Sequence, residues 1–218
     1  MTNSVAKFPG LAGAKYLRRA SETSAHSKAE WNRADLSGRL VELCGKDASA
    51  VLTAAFGLVL DAQQEGETVA WITPSGSLFF PPDAAEGGVD LDALAVIRVP
   101  DPTDVPKAAD KLARSGALGL IVLDLQEPGS KQRGPSVPMP LQSRLMGLAQ
   151  KHDTAIVFLS YKTEAASSLS SLISLRGRAL RTRVGKNEFQ IEMRITKDKH
   201  RAPNWRHTEM CRGPAGMR

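Results

Sequence analysis

The stretch GKDASAVLT, Gly45–Thr53, stands where a phosphate-cradling turn would stand, after the short apolar run LVELC and before an Ala-rich apolar segment. A turn of the form G-x-x-x-x-G-K-[ST] holds phosphates with inward backbone N–H groups. Its lysine reaches the β- and γ-phosphates and its hydroxyl coordinates magnesium. With Gly45 as the first glycine of that pattern, Ala50 falls at the second glycine, Val51 at the lysine and Leu52 at the hydroxyl. Lys46 lies within the turn and could approach only from another direction, and Thr53 comes one position too late. An aliphatic side chain at position 51 cannot stabilise a triphosphate. The turn keeps the frame of a nucleotide site without its charge chemistry.

Two further sets of residues could do chemistry. Asp124 ends the apolar run LIVLDL, where an acid can hold magnesium through water. The plainer role is a strand-terminal carboxylate that accepts from nearby backbone donors. Residues 176–218 carry twelve Lys/Arg against four Asp/Glu, while the preceding 175 residues are nearly neutral. A basic end on a neutral body suits an anionic partner, nucleic acid foremost. Within it Arg181, Arg183, Lys197, Lys199 and Arg201 form the best cluster. Alternate strand residues share a face, so these cations could line a phosphate track whose binding weakens steeply with salt. A charged sheet edge guarded against aggregation is the alternative. Only Phe189 and Trp205 accompany them, which gives base stacking little support. His200, His207 and Cys211 supply no apparent fourth zinc ligand. Ser160 lacks the strand-turn-helix context of a hydrolase nucleophile.

The elements that must position these residues follow from hydrophobic period. Short or continuous apolar runs predict strands at 40–44, 69–72, 95–99, 120–125 and 154–160, the last ones covered on both faces as in a parallel sheet. Helical spacing predicts helices at 48–64, about 104–114 and 139–152, with a Ser-rich helix at 164–175. The segment TPSGSLFFPPDAAEGG reads as a turn-rich connection, and 89–94 as a short helical turn. After residue 180 polar and apolar residues alternate, notably in EFQIEMRIT, which predicts antiparallel strands at a sheet edge. Five βα steps followed by such strands give an α/β three-layer domain with a mixed sheet. Residues 1–36 read as a partly ordered arm docked through Trp31 and Leu36, 37–203 as the core, and 204–218 as a basic flexible tail.

The longest near-apolar run, Ala50–Leu60, has 11 residues, well short of the roughly 20 a bilayer requires. No signal peptide is read in the N-terminus. Two cysteines form no disulfide framework and suit a reducing cytosol.

GRLVELCGKDASAVLT, DAQQEGETVAWIT, LARSGALGLIVLDL and VGKNEFQIEMRITKDKHRAP together resemble the core of RecA-type recombinases over about residues 37–203. The resemblance implies a RecA-like three-layer core, with a largely parallel sheet and antiparallel strands at its C-terminal edge. It also marks departures. Thr73–Ser75 stand where the family places its water-activating glutamate, and Tyr161 stands at the polar sensor position. Little room is left between Ser160 and Arg176 for the family's long mobile DNA-binding loop. Lys197 and Lys199 match lysines that reach a neighbouring subunit's nucleotide in the family. The expectation is a RecA relative without ATPase activity and with no cofactor. It is most similar to the ImuA family of SOS mutasome accessory proteins, with the SulA division inhibitors, which bind FtsZ, as second choice. The resemblance implies RecA and an ImuB-like polymerase subunit as partners, DNA as a further one, self-association as open, no membrane, and a cytoplasmic, nucleoid-associated location. A residual ATP-dependent enzyme is the remaining alternative.

Overall fold

The computed structural model describes residues 31–46, 50–77, 81–125, 137–163, 166–186 and 188–212. Its centre is one sheet of eight strands in the order β3-β2-β4-β5-β1-β6-β7-β8. The strands are β1 Leu40–Cys44, β2 Val69–Pro74, β3 Leu94–Val99, β4 Leu120–Asp124, β5 Ala155–Ser160, β6 Leu175–Arg183, β7 Glu188–Asp198 and β8 Arg206–Arg212. The first six run parallel; β7 and β8 are antiparallel additions at one edge. The helices are α1 Arg33–Leu36, α2 Val51–Gln64, α3 Pro81–Glu86, α4 Val105–Ala113 and α5 Met139–His152.

Every residue of β1, β2, β4 and β5 is buried, as strands covered on both faces must be. One face packs on α2 through Val41, Leu43, Val122, Val157 and the fully buried Leu58 and Trp71. Trp71 stacks on Phe56 with ring centroids 4.7 Å apart. The other face packs Ile72, Ile121, Leu123, Ile156 and Phe158 against α4 and α5. Burying each such side chain contributes roughly 1.5–3 kcal/mol. Gly38 has φ +67, a left-handed turn that carries the chain from α1 into β1.

The mixed sheet and the place of its antiparallel strands match the sequence expectation, with three differences. Residues 166–174 contain no helix. Their serines bond to neighbouring groups instead: Leu172 N–H donates to Ser170 Oγ at 3.1 Å and the Ser168 hydroxyl to Glu42 at 2.9 Å. Serines that compete for local hydrogen bonds disfavour helix. Residues 206–212 form β8 rather than a free tail, because the outer edge of β7 offers a full ladder of backbone partners. The segment 81–86 is helical where a turn was expected. The end of the arm docks through the two residues expected: Trp31 donates its indole N–H to Ala54 O at 3.1 Å, and Leu36 has no exposed surface. Residues 1–30 and 213–218 lie outside the described residues.

A buried ion pair pins the antiparallel edge to the parallel body. Arg39, at the entry to β1, places Nη2 2.6 Å from Asp198 Oδ1 at the end of β7, with side chains 4% and 0% exposed. The Arg39 guanidinium also donates to Ser174 Oγ at 3.0 Å, and Asp198 accepts from Trp205 Nε1 at 3.1 Å. Burial works to raise the Asp198 pKa. The His200 N–H, with Arg39 and Trp205, outweighs it and holds the carboxyl below its ordinary value. A folded value below the unfolded one gives stability that is complete above the unfolded pKa and lost as pH falls through the folded one. Arg39→Met should lower the unfolding free energy by about 3–5 kcal/mol, because it strands a buried carboxylate. For Asp198→Asn the deficit relative to wild type should shrink as urea titrations move from about pH 7 to below about pH 4. A deficit that stays constant with pH contradicts this assignment.

Candidate functional site

The carboxyl ends of the parallel strands gather Gly45, Thr73, Asp124 and Ser160 along one rim of the sheet, the usual place for a site in an open α/β fold. At this rim Gly45 N–H donates to Ser160 O at 3.3 Å. Residues 47–49 of the turn lie outside the described residues. Where the turn reaches α2, Ala50 N–H donates to Ala179 O of β6 at 3.3 Å. Ala50 and Val51 are 1% and 3% exposed and belong to the core under α2, with Leu52 packed partly against it. Position 51 is thus filled by an aliphatic side chain turned into the protein. Thr53 is exposed, and no side chain caps the helix.

Asp124 is 3% exposed and accepts from the Thr73 hydroxyl at 3.0 Å; Thr73 also bonds the Ser77 hydroxyl. Thr73 therefore engages the carboxylate from the position at which the family resemblance implies a water-activating glutamate. A neutral hydroxyl has no base strength for such a task. Tyr161 is 48% exposed at the end of β5.

The structure separates the basic cluster that the sequence suggests. Arg181 and Arg183 lie towards the β6–β7 turn. Arg181 sits over the Phe189 ring at 5.1 Å, on the α2 face, and Arg183 donates to the carbonyls of Gly185 and Lys186 at 3.0 and 2.6 Å. Lys197 lies opposite Arg176 at the other end of the hairpin, roughly 17 Å away at a strand's rise per residue. The pairing register slips beside Arg176, at Thr196, which moves Lys197 onto the opposite face from Arg181. Lys197 Nζ then donates to Ser170 O at 3.4 Å and Lys199 Nζ to Ser171 O at 2.6 Å. Burial, joined by the charge of Lys199, lowers the Lys197 pKa from its ordinary value. Arg201 forms a two-pronged pair with Asp35 of α1 at 3.0 and 2.9 Å. The five cations form no continuous track; two of them tether a loop and one clamps α1.

The group that sequence reasoning missed is Glu42. Its side chain has no exposed surface. Oε1 accepts from Ser160 Oγ at 3.0 Å and Lys162 Nζ at 3.3 Å. Oε2 accepts from Ser168 Oγ at 2.9 Å and Leu169 N at 3.0 Å, with Arg176 Nε 3.4 Å away. One carboxylate therefore joins β1, the end of β5, the segment after it and β6. The signal was present in LVELC: an acid within a strand otherwise read as fully buried must have partners. Beside it, burial raises the Cys44 thiol pKa despite the opposing Arg176 and Arg178 charges, which keeps the sulfur protonated and a poor nucleophile.

A largely parallel sheet with a helix following β1, an acid at the end of β4 and antiparallel strands at one edge defines a mixed α/β core. Residues 34–163 match the family described as the RecA N-terminal domain, and the chain belongs to that family. It is 33% identical over 136 residues to the RecA protein of Fusobacterium nucleatum, covering 56% of this chain and 36% of that one. It is 43% identical over 88 residues to the RecA protein of a Nocardioides species, covering 40% and 25%. With the RecA protein of Haemophilus ducreyi it shares 33% identity over 123 residues, 54% and 33% of the two chains. The matched part thus spans about a third or less of these relatives. Strands β6–β8 lie beyond the family match. Among the described residues no helix is long and apolar enough to cross a membrane.

Removing the Glu42 charge strands Arg176 and Lys162. Glu42→Gln should cost about 3–5 kcal/mol in urea unfolding and open the segment 166–174 to limited proteolysis under native conditions. Ser170→Ala should cost only about 1 kcal/mol. An unchanged cleavage pattern in Glu42→Gln would sink the claim that this carboxylate holds the segment.

Proposed function

We propose that the chain is a non-catalytic RecA-family accessory protein, a scaffold in SOS-induced translesion DNA synthesis that binds RecA, an ImuB-like polymerase subunit, or both. One observation carries the reading: Val51, buried in the core beneath α2, takes the place of the phosphate-binding lysine in a RecA-family domain. The arrangement around it supports the same conclusion. The neighbouring Ala50 N–H bonds inward to β6. The segment at the position of the family's mobile loop is tied down by Glu42, Lys197 and Lys199. A domain with a fixed loop and an aliphatic phosphate turn is suited to presenting a surface rather than cycling on nucleotide.

Calorimetry with ATP and magnesium should show no saturable heat, and pull-downs should retain RecA or the ImuB-like subunit. Micromolar ATP binding would restore the enzyme reading. Retention of FtsZ in place of both partners would assign the chain to division inhibition. DNA contact, where it occurs, should pass through Arg181, Lys186 and Arg212, the cations near the β6–β7 turn. Arg181→Glu together with Arg212→Glu should then weaken oligonucleotide binding and flatten its dependence on log salt by about one to two in slope.

A further inference from the structure

The groove between α4 and α5 lies on the sheet face away from α2 and has no part in the site described above. It encloses about 540 Å³ and is lined by Lys107, Asp110, Lys111, Leu141 and Arg144, with Pro138 and Pro140 at one end. Helix α4 packs Val105, Ala109 and Ala113 inward, so Lys107, Lys111 and Arg114 are left on its outer side. Asp110, with a side chain 8% exposed, holds two guanidinium groups at once. Arg114 approaches its Oδ2 at 3.0 Å and Arg144 its Oδ1 at 3.0 Å, while each arginine side chain stays 57% exposed. Arg114 donates to this carboxylate, while Arg144 pairs with it by charge at 3.0 Å, so one carboxylate neutralises only one of two exposed arginines. Lys107 pairs with Asp104. Lys111 has no ion-pair partner among the described residues. The rim keeps a surplus of two positive charges around an apolar floor of Leu141 and the prolines.

We propose that this groove docks an acidic segment of a partner protein. Carboxylates would meet Lys111 and the free N–H groups of Arg144, and one apolar side chain would seat on Leu141. Charge complementarity selects this occupant. The chain's own candidate segments are net basic: residues 1–30 carry five Lys/Arg against two Glu, and residues 126–136 carry two against one. The same surplus that attracts acids repels these basic segments. A nucleic acid would match the charge but gain nothing from the apolar floor, whereas a peptide uses both. The inference stands whether or not the nucleotide reading does.

The test uses the full chain and a short fluorescein-labelled Glu-rich peptide carrying one central Leu, read by anisotropy. Wild type should bind it saturably and more weakly as salt rises. The double variant Lys111→Glu/Arg144→Glu should bind at least about tenfold more weakly. The same peptide with Ser in place of Leu should also bind wild type several-fold more weakly. Urea midpoints close to wild type confirm that the double variant is folded. Absence of saturable binding by wild type, equal binding by the folded double variant, or indifference to the Leu-to-Ser change would overturn the proposal. So would displacement of the peptide by a single-stranded oligonucleotide that needs the same two residues.

Discussion

A carboxylate with no exposed surface is tolerable only where donors surround it, and Glu42 imposes that condition on the middle of the sheet. Taking an ion out of water carries a penalty of several kcal/mol even after relaxation, and a single cation seldom offsets it. Glu42 has two cations, two hydroxyls and a backbone N–H within reach. These donors come from β5, from the segment after it and from β6, so the requirement of one side chain fixes the relative position of three pieces of chain. Arg176 in turn sits opposite Lys197 across the β6–β7 ladder. The buried charge therefore extends its influence from the parallel body into the antiparallel edge. The Arg39–Asp198 pair closes the same junction from the other end.

This constraint gives physical content to the loop between β5 and β6. A Ser-rich segment has little local preference for one conformation, although its Ile173 is fully buried and Leu169 and Leu172 pack against the core on the α4–α5 side of the sheet. Here it is held by hydrogen bonds from Ser168 and Leu169 to Glu42, from Ser170 to Gln142, and from two lysines to its carbonyls. Order comes from tertiary contacts, these polar bonds together with the buried Ile173, rather than from local propensity. A loop held in this way cannot swing out to grip a nucleic acid without breaking charged contacts, each worth about 1.5–3 kcal/mol.

How much of this was legible in the sequence depends on which force decides each element. The parallel strands and α5 were legible because continuous apolar runs and a 3.6-residue period report burial directly: Met139–His152 is helical as its spacing predicts. The Ser-rich stretch was misread because its serines bond Glu42, Gln142 and the Leu172 backbone N–H, which no periodicity encodes. β8 was missed because RHTEMCR is an edge strand whose side chains are mostly exposed; only the open ladder of β7 determines it. Positions 50–52 at the start of α2 and Asp124 at the end of β4 could be located on their elements from sequence spacing alone. The faces of the cations could not, because a one-residue slip at Thr196 inverts every side chain beyond it. Glu42 was overlooked since a strand written LVELC reads as apolar on average, although its one acid decides the neighbourhood.

Where the turn after β1 meets α2, residues 50 and 51 belong to the core. In a phosphate loop the backbone N–H groups find their partner in the ligand, so the turn completes its hydrogen bonding only when loaded. In this chain the Ala50 N–H finds Ala179 O on β6, and the neighbouring Val51 buries itself under the helix instead of reaching outward. Each change removes a reason for the turn to await an anion. The donor is satisfied from within, and the side chain gains apolar burial worth roughly 1.5–3 kcal/mol relative to exposure. A cation introduced at position 51 would meet the opposite balance, since it would enter an apolar environment with no phosphate to compensate. The buried aliphatic side chain and the inward hydrogen bond therefore reinforce each other, so under the proposed non-catalytic reading a cation at position 51 alone would not create a nucleotide site.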